Sequence, residues 1–110
     1  MTRFAHIAII AAFLATPLSA QTHTGHAGHA PGMNDINAKM HAAMEITPSG
    51  DIDVDFIRAM IPHHQGAIDM ARLVLEQGKN PEVRALAEAI VAAQAQEIAW
   101  MESWLAANAK

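Results

Sequence analysis

A chain of 110 residues without a cysteine can form neither a disulfide nor a thiolate site, so any bound metal must be held by histidine, methionine or carboxylate. Eleven acidic side chains outnumber seven basic ones, which argues against nucleic acid and anionic membrane as partners and favours a cationic ligand. Seven methionines against three phenylalanines and no tyrosine are an unusual filling for a small core, and thioether sulfur is a soft metal ligand.

Residues 1–20 begin with Arg3, run through the apolar stretch Ile7 to Leu14 and end in Ser19-Ala20. That is the layout of a secretory signal peptide. The apolar run is too short to span a bilayer, so cleavage after Ala20 is expected to release a periplasmic protein with no membrane anchor. Residues 21–34 include Gln21-Thr22-His23, His26 and His29, and up to Pro31 no large apolar side chain. Such a segment cannot bury enough surface to offset its ordering entropy, and it reads as a disordered, histidine-rich tail. Residues 35–110 then form one helical metal-binding domain.

Within it, Asn34 or Asp35 is placed to cap a short helix over about 35–45, with Ile36, Met40 and Met44 at four-residue spacing and Thr47-Pro48-Ser49-Gly50 ending it. A second helix is expected from Asp53, as cap, to Gln77, with Gly78 as its stop. Pro62 lies inside and should kink it or divide it in two. Asn80-Pro81-Glu82 is a strong start signal for a third helix running to about Ala107. The short connection makes the two long helices an antiparallel hairpin, and nothing reads as a strand.

On a wheel of about 100° per residue, Phe56, Ile57, Met60, Ala67, Ile68, Met70, Ala71, Val74 and Leu75 form the apolar stripe of the second helix. His63 and His64 fall on its two flanks, with Met60 between them in projection. From a straight helix they do not easily aim at one point, so the Pro62 kink reorients them or each serves a separate site. The third helix carries Val83, Leu86, Ala87, Ile90, Val91, Ile98, Met101, Trp104 and Leu105, yet Gln94 and Glu97 intrude into this stripe. Trp100 and Trp104 read as packing residues. In a hairpin turning near residue 79, positions summing to roughly 158 lie level. Met60, His63, His64, Gln94, Glu97 and Met101 are thereby expected to converge, with Glu97 holding a histidine tautomer or ligating directly. Met33, Met40, His41 and Met44 make a second His/Met cluster, although His41 is rotated off the face shared by Met40 and Met44.

The run Phe56-Ile57-Arg58-Ala59-Met60-Ile61-Pro62-His63-His64-Gln65-Gly66-Ala67, then Met70-Ala71, then Gln94 to Met101 with Trp104, resembles a family of small exported helical proteins. That family is described as domain of unknown function three hundred and five and includes CopM-like copper-binding proteins. The resemblance covers about residues 51–106. It implies a ferritin-like helical bundle and periplasmic copper binding, with Met60, His63, His64, Met70 and Met101 as ligands. Three helices are few for such a bundle, so a second subunit is a natural source of the missing one.

The leading expectation is therefore an all-α, non-enzymatic protein that sequesters copper or hands it on in copper homeostasis or resistance. Cu(I) suits the His/Met set of the bundle, and a periplasmic copper donor or acceptor protein and a homodimer are the expected partners. The tail offers a separate Cu(II) site: the Gln21 amine, two backbone amides and the His23 imidazole make a square-planar nitrogen set, aided by His26 and His29. Two alternatives stand beside this, a zinc-binding protein and a metal-independent helical interaction module. Enzymatic readings lack their motifs: Glu97 is followed three residues later by Trp100, not by the histidine of a di-iron site, and there is no His-Glu-x-x-His pair.

Overall fold

The structure, a computed structural model, describes residues 31–109. It is all helical, with α1 (Met33–Met44), α2 (Ile52–Gln77) and α3 (Pro81–Asn108) in chain order and no strand among the described residues. The expected signal peptide and the tail residues His23, His26 and His29 lie outside the described residues.

Each helix begins where a side chain or backbone group satisfies its free amides. The α1 cap is Gly32, one turn earlier than expected, because the Asp35 carboxylate reaches back to accept the Gly32 amide at 2.9 Å. For α2 the cap is Asp51 rather than Asp53: its Oδ1 accepts from the amides of Asp53 and Val54 at 3.0 and 3.3 Å. Gly50, at φ 92, swings the chain into that position. The α3 cap is Asn80, as the sequence indicates, accepting from Glu82 and Val83 at 2.9 and 3.0 Å with Pro81 in the first turn.

α2 runs unbroken through Pro62. The lost bond to the Arg58 carbonyl is tolerated because neighbours hold the helix on both sides, and the proline ring faces Met40 and Ala43 of α1. α2 packs on α1 and on α3, which do not touch each other, so it is the central helix of a layer. α1 is antiparallel to α2, with Ile36 beside Leu73 and Met40 beside Pro62 and Gly66. Gly66 is the seat of this contact: a side-chain carbon there would lie 2.8 Å from Met40 Cβ and closer still to its sulfur.

The turn between α2 and α3 is closed by Arg84, which donates to the Leu75 and Gly78 carbonyls at 2.7 and 3.1 Å. Gly78 has φ −72, so glycine is required there by space and not by a left-handed backbone. A side-chain carbon at this position would meet the Val74 carbonyl at 2.6 Å. The buried core is Ile36, Val54, Ile57, Ile68, Ala71, Ala87 and Met101. Four expected core residues are largely in solvent: Phe56 is 58% exposed, Val83 48%, Leu86 59% and Trp100 60%. The stripes of α2 and α3 are wider than the contact between the two helices covers.

Candidate metal centre in the seam between α2 and α3

The seam is built on a seven-residue spacing in both helices. Ile57, His64 and Ala71 line it from α2, and Ala87, Gln94 and Met101 from α3, where Ile57, Ala71, Ala87 and Met101 are buried. Seven residues are close to two helical turns, so each set keeps to one line.

His64 is held from both ends. Its Nδ1 lies 2.9 Å from the Met60 carbonyl, which only accepts, so Nδ1 carries the hydrogen and donates it. This leaves Nε2 aimed across the seam, 2.5 Å from Glu97 Oε2. One imidazole nitrogen and one carboxylate oxygen thus face each other across the seam, and both are atoms that can ligate a cation. A backbone carbonyl fixing the tautomer of a ring whose other nitrogen is turned inward is the usual support of a ligating histidine.

The same contact sets the register of the hairpin. Positions that sum to 161, as 64 and 97 do, lie level, and so do Met60 and Met101. Each sulfur stands one turn, about 6 Å along the axis, from its polar neighbour on the same helix. Met101 is 4% exposed and Met60 half-buried. Gln94 lies one turn from Glu97 in the other direction, and its Oε1 is buried with no hydrogen-bond partner. A buried amide oxygen left unpaired costs about 1–3 kcal/mol, so the seam holds one more polar group than its own contacts satisfy.

The remaining expected residues are spread more widely. His63 is exposed, with its ring centroid 6.0 Å from that of His64 and the planes at 60°. Rings that share one ion have centroids roughly 5–6 Å apart for metal–nitrogen bonds of about 2 Å, so adjacency on the helix does not prevent a joint site. Met70 is half-buried, nearly three turns beyond Met60 along α2. Of the second His/Met group, Met40 packs onto Gly66, Met44 is half-buried, and Met33 and His41 are exposed. Among the described residues no three His, Asp or Glu side chains group into a metal site. Arg84 and Gly66, which position the seam and its backing helix, carried no sequence signal beyond the closeness of Arg84 to the turn.

Residues 8–105 match the family described as Domain of unknown function (DUF305). The chain belongs to this family. Among curated proteins it is similar to an uncharacterized protein of Acanthamoeba polyphaga mimivirus, with 38% identity over 53 residues, 48% of this chain. The aligned segment covers 35% of that viral protein.

Proposed function

We propose that this DUF305 member is an exported copper-binding protein that sequesters Cu(I) or passes it on in the periplasm, with no catalytic turnover. The observation that carries the reading is the orientation of His64: Nδ1 is committed to the Met60 carbonyl, and Nε2 is turned across the seam onto the Glu97 carboxylate, so that the two present a nitrogen and an oxygen to a cation. The buried, unpaired Gln94 oxygen beside it marks a place short of a polar partner. The other donors in reach of the seam by register are the thioethers of Met60 and Met101, with Met70 further along and His63 on the flank. Uncharged sulfur beside imidazole is the donor set that Cu(I) favours. Zinc prefers three or four nitrogen, oxygen or thiolate ligands, and the described residues supply no such group. The Cu(II) site on the tail, formed by the Gln21 amine and His23 with His26 and His29, belongs to the same reading as a separate capture point.

The test is competition for Cu(I) against a chromophoric chelator, using protein from the exported fraction. Tight binding is expected, with a loss of at least tenfold in affinity for His63→Ala combined with His64→Ala and no change for Met33→Leu. Binding should also weaken as the histidines protonate. Affinity for Cu(I) unchanged in the double variant would overturn the assignment, and tighter binding of Zn(II) than of Cu(I) would overturn the choice of metal.

A further inference from the structure

The seam lines have exposed neighbours. One residue before Ile57, His64 and Ala71 stand Phe56, His63 and Met70; one before Ala87, Gln94 and Met101 stand Leu86, Ala93 and Trp100. A one-residue step turns about 100° around a helix. Because α2 and α3 face each other and run in opposite directions, this step carries both lines to the same side of the hairpin. α1 does not cover that side, since it packs on Pro62, Gly66 and Asp69. The large apolar side chains there are in solvent: Phe56 58%, Leu86 59% and Trp100 60% exposed, with Ile52 at 79% extending the line. Of the charged groups of α2, Asp69, Arg72 and Glu76 face the α1 groove, and Arg58 lies with Ser49, Asp51 and Asn108.

We infer that this open face of the α2–α3 hairpin is an isologous interface with a second copy of the same chain. Its size fits. Helices of 26 and 28 residues, at 1.5 Å per residue and 8–10 Å apart, present a face of roughly 800 Å². A stable two-chain interface takes about 800 Å² from each partner. Its pattern fits as well, because a line of apolar residues every seven positions accepts another helix packed side by side, and the buried seam repeats the same spacing one residue along. Ala93 at the centre leaves room for close approach. Two hairpins packed face to face make a four-helix core in which every apolar line is covered. Charge is self-complementary: each face offers a carboxylate, Glu97, and an imidazole, His63, both close to the midpoints of their helices. A two-fold pairing with full overlap brings the histidine of one copy toward the carboxylate of the other.

The interface is tested on the metal-free full chain, so its failure is separate from failure of the copper reading. Sedimentation of the wild type at tens of micromolar should give twice the chain mass. Phe56→Glu combined with Trp100→Glu should give one chain mass with helical circular dichroism retained, since both side chains are exposed. A monomeric wild type overturns the inference; if that monomer sediments with phosphatidylcholine–phosphatidylglycerol vesicles, the face serves a lipid surface instead. A dimer that survives the double glutamate variant places the contact elsewhere and overturns it equally.

Discussion

At the scale of single residues, the polar contacts divide into those that build the helix ends and those that the seam retains. Asp55 belongs to the first kind. Its two carboxylate oxygens accept the Ser49 amide at 2.9 and 3.1 Å, tying the loop before α2 to its first turn. Hydrogen bonding from Ser49, with a smaller contribution from the charge of Arg58, holds the carboxyl below its ordinary range. A lowered pKa stabilises the fold above the unfolded-state value, and the contribution disappears as pH falls through the folded one. The Ser49 amide shift, followed by two-dimensional NMR, should therefore stay constant from neutral pH down through the usual carboxylate range and move only below it. A midpoint at or above the ordinary aspartate value would show that the contact does not hold in solution. His64 and Glu97 are of the second kind, since neither completes a helix end and both lie inside an otherwise apolar stripe. That displacement made them legible in the sequence, for a carboxylate facing a partner helix needs a reason to be there.

At the scale of elements, the three helices, their order and the hairpin followed from the caps, prolines and apolar period, and Asn80-Pro81 places the start of α3 to the residue. The starts of α1 and α2 were misplaced, because several polar residues in a row can each serve as a cap. Which one does so depends on the turn at Gly50 and on the reach of Asp35, and both are three-dimensional facts. Pro62, expected to kink α2 or divide it in two, does not divide it, because packing on both flanks of α2 outweighs one lost hydrogen bond. The seat of α1 was not legible at all, as nothing local marks Gly66 as the contact for Met40. Gly66→Ala gains up to about 1 kcal/mol of helix propensity but pushes a carbon into Met40, and overpacking costs typically 1–3 kcal/mol. The substitution should destabilise the wild-type chain in urea unfolding and stabilise the Met40→Ala variant, where the space is free. The same sign in both backgrounds would mean that α1 does not rest on Gly66.

At the scale of the whole molecule, stability should depend on what the fold binds. Among the described residues only seven hydrophobic side chains are buried, and none is sealed completely; a helical layer of this size has a small margin over its conformational entropy. Any species that binds only the folded chain raises stability by RT ln(1 + [L]/Kd), about 2.7 kcal/mol at one hundred times Kd. In a domain this small that corresponds to roughly 10–20 °C in Tm. Cu(I) and a second copy are the two such species proposed above, and their contributions are separable by calorimetry. Cu(I) at saturating concentration should raise Tm of the wild type by this order and leave His64→Ala nearly unchanged, because that variant lacks the imidazole proposed to ligate the ion. Raising the concentration of metal-free protein a hundredfold should lift Tm of both the wild type and His64→Ala, and should leave the variant with Phe56→Glu and Trp100→Glu where it was. If Tm responds to Cu(I) but not to protein concentration, the core stands alone in one chain; if it responds to concentration but not to Cu(I), the open face is an interface and the seam is not a copper site.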